Sequence, residues 1–316
     1  MSASRQITLA LVFSSACAAH AQPLPGEPLR PLPANADVDP ASLAIGKRLF
    51  HDTRLSPGNR TSCASCHNLQ RGGADGQARA AGVDGKPGLF NTPSVYNSHY
   101  NARQSWTGRP ISLERLPVHA GFGDSWELLA ARSGGAIDGA AARDALGLYL
   151  RALQTPSRFD RYLRGDALAL NTDEKAGYAS FKRYGCVACH QGVNVGGNMF
   201  ARLGVMREFP GLAISPGGQG RFLETGREED RFVFRVPALR NVALTAPYLH
   251  DGSVATLAEA VDLMFRYQLG RSAAPQDKAQ IVQFLHTLSG DPMPPPGVLP
   301  AALPAALPAA LPGVSP

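Results

Sequence analysis

Beyond its first two dozen residues the sequence has no long apolar run, and nothing approaches the roughly 20 consecutive apolar residues of a membrane span. It also lacks a basic cluster. A formal net charge of +6 over 316 residues is mild, which argues against nucleic acid as a partner and leaves solubility as the ordinary role of the excess. Cysteine is scarce, with five in all. One of them, Cys17, lies in a stretch that reads Arg5, the apolar run Ile7–Phe13, then Ala19-His20-Ala21 before Gln22. That is the basic region, short apolar region and small-residue cleavage site of a secretory signal peptide. Ser14 stands where a lipoprotein anchor at Cys17 would want Leu, so the anchor is disfavoured. Residues 1–21 therefore read as a signal peptide and the bacterial periplasm as the destination. Without Cys17 four cysteines remain, and none is left over for a disulfide.

Those four form two copies of one pattern, Cys63-Ala64-Ser65-Cys66-His67 and Cys186-Val187-Ala188-Cys189-His190. Two thiols three positions apart can add across the vinyl groups of one haem, and the histidine that follows is placed under the iron as an axial ligand. A zinc knuckle would need two further thiol or imidazole ligands close by, and neither half supplies a second cysteine pair. The reading is two covalently bound c-type haems, attached at Cys63, Cys66 and His67 and at Cys186, Cys189 and His190.

Hydrophobic content of 44% is ordinary, whereas 33 Gly and 26 Pro predict long irregular segments. Residues 22–40 are proline-rich and read as a linker or extended arm. A first helix is expected from about Pro40, with Leu43, Gly46, Leu49 and Phe50 at helical spacing. Asn68 to Pro110 is a long Gly, Asn and Pro-rich loop of the kind that wraps something, a haem edge being the obvious candidate. An amphipathic helix is predicted over 140–154, and Ser157 to Leu170 reads as the domain connection. Asn171 with Glu174 caps a helix that ends near Tyr184 and delivers the second cysteine motif. Gly192 to Glu229 is loop-like. Thr256-Leu257-Ala258-Glu259 is a capping box whose helix carries Leu257, Val261 and Met264 on one stripe. A last helix spans about Gln276 to Leu288. The tail over 291–316 repeats Ala-Ala-Leu-Pro and cannot stay helical. The fold class expected is mainly α: two cytochrome c-like domains, 41–160 and 161–290, each with one covalently bound c-type haem and long irregular loops.

The sequence resembles the bacterial dihaem cytochrome c peroxidases and their MauG-like relatives from about Leu43 to Leu288. The motifs that carry this are Leu49-Phe50-His51-Asp52, Cys63–His67 with Gly72-Gly73-Ala74-Asp75-Gly76, Asn91-Thr92-Pro93-Ser94 and Trp106-Thr107-Gly108-Arg109. Cys186–Met199 and the run from Val236-Pro237-Ala238-Leu239-Arg240-Asn241 to Tyr248-Leu249-His250-Asp251-Gly252 complete the set. The resemblance implies that the C-terminal haem receives electrons from a small c-type cytochrome or a cupredoxin. These would pass by a bridging tryptophan, matched by Trp106, to an N-terminal haem that reduces hydrogen peroxide. Met264, fourteen residues after His250, matches the distal ligand of the electron-entry haem; MauG-like members place a tyrosine there. Asn91, Thr245 and Pro247 match positions that hold an interdomain calcium. A homodimer is a candidate assembly.

The peroxide pocket departs from the family pattern. Val83 aligns with a displaceable histidine ligand, so the N-terminal iron is expected to be open at rest. Leu116 replaces a glutamine, and Pro117-Val118-His119 runs directly into Ala120-Gly121-Phe122-Gly123-Asp124 without the catalytic glutamate. Splitting an O–O bond needs a group that takes and returns a proton. His119 and Asp124 are the nearby substitutes, and His119 is alternatively an iron ligand that closes the site. Three functions follow in order: a peroxidase, a dihaem electron carrier or redox sensor with a degenerate pocket, and a MauG-like oxidase acting on a partner protein.

Overall fold

A computed structural model describes residues 26–34, 38–56, 58–82, 85–109 and 138–292. Residues 1–21, read as a signal peptide, the Ala-Leu-Pro repeats of the tail and the segment holding Val83 lie outside the described residues, as does the stretch with Leu116, His119 and Asp124. Helices dominate, joined by long turns, with one small antiparallel ribbon. Asp39 caps α1 (Pro40–His51) by accepting from the Ser42 amide at 2.8 Å. The four-residue α2 (Cys63–Cys66) follows, then a loop with short 3-10 turns, and α3 (Gly139–Ala152). Leu43, Leu49 and Phe50 of α1 pack with Leu146, Tyr149 and Leu150 of α3 in a first core.

The second half repeats the plan. It contains α4 (Arg158–Leu163), α5 (Thr172–Arg183), α6 (Phe222–Thr225), α7 (Leu257–Leu263) and α8 (Pro275–His286). Strand β1 (Phe200–Arg202) pairs with β2 (Val233–Arg235), Ala201 opposite Phe234. Phe159, Tyr178, Phe181 and Phe284 stack at ring separations of about 5 Å, the closest pair 4.9 Å, in a second core closed by Ile281, Leu285 and Leu288.

Each core is built on a helix pair that crosses at a glycine. A Cβ on Gly46 would collide with the Ala145 carbonyl and stand 2.7 Å from the Tyr149 Cβ. A Cβ on Gly177 would collide with the Gln280 carbonyl and stand 3.0 Å from the Phe284 Cβ. In both pairs the glycine of the first helix lets backbone meet backbone, over a carbonyl and an aromatic residue one turn further on. Asn97 and Asn241 repeat the correspondence. Both have left-handed φ, 57° and 61°, and both lead into a 3-10 turn, Ser98–Tyr100 and Val242–Leu244. Their side-chain amides both donate to Thr155 Oγ1, at 2.7 and 2.8 Å. Thr155 is fully buried, and it joins the two halves where their repeated turns meet.

The proline-rich stretch read as a linker or arm is extended in its described part, and it is packed. Leu29 and Leu32 are each 1% exposed. Leu29 enters the second core rather than the first, although α1 follows it directly. The Arg30 amide donates to the Gly192 carbonyl, and the Gly192 amide donates to the Pro28 carbonyl. Glu27 pairs with Lys182 at 3.0 Å. Residues 26–34 form a strap across the C-terminal half.

Beneath the strap, Arg240 and Asp160 form an ion pair in which both side chains are 1% exposed. Two bonds of 2.9 Å join them. Asp160 also accepts from the amides of Leu32 and Ser157, each at 2.7 Å. Arg240 Nε donates to the Val193 carbonyl at 2.7 Å and Nη2 to the Arg30 carbonyl at 3.2 Å. Burial pushes the Asp160 carboxyl up, but the Arg240 charge and these hydrogen bonds outweigh it and hold the pKa below the usual value. The stabilisation is therefore present above the unfolded carboxylate pKa of about 4 and is lost as pH falls through the lowered folded value. Asp160→Asn leaves a buried guanidinium without its counter-charge, and we expect it to cost about 3–5 kcal/mol in urea unfolding at neutral pH. The gap to the wild type should narrow in acid. An equal loss at pH 7 and pH 3 would mean the charge is not what matters.

Candidate functional site

The first cysteine motif sits on a single helical turn, where residues three apart share a face. The Ser62 amide donates to Ser65 Oγ at 3.0 Å, starting α2, and the His67 amide closes it on the Cys63 carbonyl at 2.8 Å. His67 Nδ1 lies 3.1 Å from the Gly73 carbonyl. A carbonyl can only accept, so Nδ1 carries the proton and Nε2 keeps its lone pair. Burial lowers the His67 pKa and pushes the Cys63 thiol up to about 12.

The second motif has the same build with a tighter turn. Gly185, with φ 88°, ends α5 and opens the turn Cys186–Ala188. The His190 amide donates to the Cys186 carbonyl at 2.9 Å. Burial drives the His190 pKa down to about 4, so its imidazole is neutral at physiological pH. The backbone of the next turn holds the ring: a Cβ on Gly196, with φ 125°, would collide with the Pro237 carbonyl and stand 3.2 Å from His190 Nδ1. His190, Cys186 and Cys189 line one cavity that Met264, Val261 and Leu285 line as well.

Met264 departs from a simple inward stripe. Leu257 and Val261 are buried on α7, while Met264 is half-buried and opens a π-helical turn, Met264–Gln268, closed by the Leu269 amide on its carbonyl at 2.9 Å. Such a turn inserts a residue into the ladder and re-aims side chains, and π-turns concentrate at functional positions. Trp106 reaches the same cavity from the N-terminal half. Its indole N–H donates to the Asn91 carbonyl at 2.8 Å, and the Asn91 amide donates to the His250 carbonyl at 2.7 Å. Asn91, Thr245 and Pro247 line this cavity too. Among the described residues no three His, Cys, Asp or Glu side chains gather as a metal site.

Sequence reasoning assigned no role to three features of this site. His250 is 2% exposed, ringed by Phe90, Trp106 and Phe234, with Nε2 3.1 Å from Ser215 Oγ. The other two are Gly196 and the buried Arg235. His250 and Gly196 stood inside quoted motifs, and the signal for them was there without a partner to explain it.

The donor set fits two c-type haems. All four thiols are free, each pair adjoins a half-buried imidazole whose pKa is lowered by desolvation, and one apolar cavity is lined by both His190 and the thioether of Met264, a ligand suited to a high-potential haem.

Comparison with known proteins agrees. Residues 40–122 match the family model described as di-haem cytochrome c peroxidase. The cytochrome c551 peroxidase of Pseudomonas aeruginosa is 37% identical over 78% of this chain and 78% of its own length. The chain belongs to the di-haem cytochrome c peroxidase family. The cytochrome c peroxidase Ccp of Escherichia coli K12 is 39% identical over 84% of this chain, which spans 61% of that longer protein. A solved MauG-like protein associated with microbial copper homeostasis superposes with TM-score 0.67 and 29% identity, over 84% of this chain and 94% of that one. The helix-rich fold with its single small ribbon is thus a fold of this family.

Gly196→Ala tests the packing of the second site. The added methyl meets backbone and ligand ring together at a φ that side chains avoid, so we expect His190 to be displaced. The absorbance and EPR signature of the C-terminal haem should change while that of the N-terminal haem persists. Identical spectra would show that the Gly196 contact does not set the ring.

Proposed function

We propose that the protein reduces hydrogen peroxide to water, taking two electrons from a small c-type cytochrome or cupredoxin in the periplasm. In this reading the two halves are cytochrome c-like domains, 41–160 for peroxide and 161–290 for electron entry, with Leu29 and Phe159 lent to the second core from ahead of that boundary. The observation that carries it is the shared cavity: half-buried, neutral His190 and the thioether of Met264 on its walls, with Trp106 entering from the other half. Haem bound covalently at each cysteine pair would supply iron able to accept electrons singly and, at an open position, to take up peroxide.

The chain's own residues supply the rest. His67, its Nδ1 held by Gly73, offers Nε2 as proximal ligand of the first haem. His190 and Met264 would hold the iron of the second, where a neutral thioether would favour the reduced metal. Trp106, carried by the N-terminal half, lines the cavity of the second motif and would serve as the bridge for electrons. Asn91, Thr245 and Pro247 offer amide, hydroxyl and carbonyl oxygens, which suits a calcium ion at the junction of the halves. No helix among the described residues is long and apolar enough to cross a membrane. Export by a signal peptide at 1–21 and a homodimer belong to the same reading.

Reduction of peroxide consumes two protons, so a proton-transfer group must stand near the open iron. We assign this to His119, with Asp124 as the second candidate, because the family's glutamate and glutamine are missing and Val83 cannot guard the metal. The absent glutamate also favours a second reading, an electron carrier or redox sensor with a degenerate pocket. Met264, in place of a tyrosine, counts against a MauG-like oxidase.

Steady-state peroxide turnover with a reduced small cytochrome separates these readings. The peroxidase should react without prior reduction, with one high-spin haem in the EPR spectrum of the oxidised protein. His119→Ala should then lose about 10²–10⁴-fold in turnover. A high-spin wild type without turnover would favour the carrier. A low-spin wild type turned high-spin by His119→Ala would make His119 a ligand. Independently, Met264→Ala should lower the reduction potential of the C-terminal haem and abolish its low-spin His–Met character, and an unchanged potential would leave Met264 as packing alone.

A further inference from the structure

Two arginines five positions apart are buried alike and partnered oppositely. Arg235 and Arg240 are each 3% exposed. Arg240 meets Asp160 through two charge-assisted bonds. Arg235 meets no carboxylate among the described residues. Its Nε donates to the Ser105 carbonyl at 2.7 Å, Nη1 reaches the Val236 carbonyl at 3.4 Å, and among the described residues no hydrogen bond engages Nη2. Burial lowers its pKa to about 10, with no acidic group opposing the shift.

A guanidinium withdrawn from water without a counter-charge is strongly disfavoured, and a fold keeps one where an anion is supplied from elsewhere. The place is specific. Arg235 is the last residue of β2, and it lines the cavity walled by Cys186, Cys189, His190 and Met264. Its planar fork of N–H donors matches a carboxylate in shape as well as charge. Its backbone is fixed as well, because the Arg235 amide donates to the Trp106 carbonyl at 2.9 Å. Main chain and side chain together clamp Ser105 and Trp106.

We infer that Arg235 is the counter-ion of a propionate of the haem attached at Cys186 and Cys189. This rests on the reading that the cavity holds that haem. Arg235 is then a positioning and electrostatic residue: it neutralises a carboxylate that would otherwise favour the oxidised metal, and it ties that carboxylate to the segment bearing Trp106.

The test uses the full-length holoprotein with Arg235→Gln and Arg235→Lys. Haem content comes from haem staining of a denaturing gel with intact mass, and the potential of each haem from spectroelectrochemical titration. The C-terminal haem is assigned by its loss on replacing Cys186 and Cys189 with Ala. Both variants should retain two haems. Arg235→Gln should lower the potential of the C-terminal haem alone, and Arg235→Lys should restore it towards the wild type. An unchanged potential in Arg235→Gln, an equal shift at both haems, or a shift in Arg235→Lys as large as in Arg235→Gln would overturn the inference and leave the bond to Ser105 as the residue's role. Wild-type protein lacking haem at Cys186 and Cys189 would instead overturn the underlying reading, which the stain detects by itself. Should Arg235→Gln fail to accumulate, the propionate bending band in resonance Raman spectra of wild type and Arg235→Lys decides. A shifted band is expected, since a fork is exchanged for a single donor, and an unmoved band overturns the inference.

Discussion

The Arg240–Asp160 ion pair is the constraint on which the C-terminal half depends. Taking both charges out of water is costly, and attraction between them compensates only when every remaining donor and lone pair is used. Here they are used on four separate segments: the strap through Arg30 and Leu32, the start of α4 through Ser157, the loop after the second cysteine motif through Val193, and the run after β2 that carries Arg240 itself. Val193 lies three residues beyond His190. The pair thus fixes the path of the chain just where it leaves the axial histidine, and a fault in it would be felt at the metal site before it was felt at the surface.

Around that constraint the molecule is a doubled object. Gly46 on α1 and Gly177 on α5 play one part, and Asn97 and Asn241 play another. The two asparagines converge on Thr155, which accepts from both and whose own amide donates to Asn97 Oδ1 at 3.1 Å. A single buried hydroxyl serves as a common reference for two halves that each present a histidine. The halves differ in how that histidine is held. His67 is oriented by a hydrogen bond to Gly73, whereas His190 is oriented by close packing over Gly196.

What was legible in the sequence was local. The capping boxes at Asn171 with Glu174 and Thr256 with Glu259 form as read, because each needs only residues three apart. Helix ends fall within a few residues of expectation, and the cysteine motifs fold as single turns. Family motifs brought Trp106, Met264 and His190 to one cavity. Distant pairings were not legible. Nothing in the composition of residues 26–34 says that Leu29 belongs to a core whose other members begin at Phe159. Arg240 and Asp160 are eighty residues apart, and a charge within a motif does not name its partner. The π-turn at Met264 was hidden because helical periodicity presumes an uninterrupted ladder.

The strap has a further consequence for how the chain assembles. Among the described residues the first core draws on Val38 to Leu153 and on nothing from later in the sequence. The second unites Leu29 with Leu288, nearly the whole described length. Contacts of such separation close late and slowly, since the intervening chain must give up its freedom before any of them contributes. The half synthesised first can therefore be complete while the other still waits on a piece of ribbon from the very start of the chain. An affinity tag or fusion joined just ahead of Glu27 would sit against the last-formed region of the protein, at the opposite end from where its position in the gene suggests.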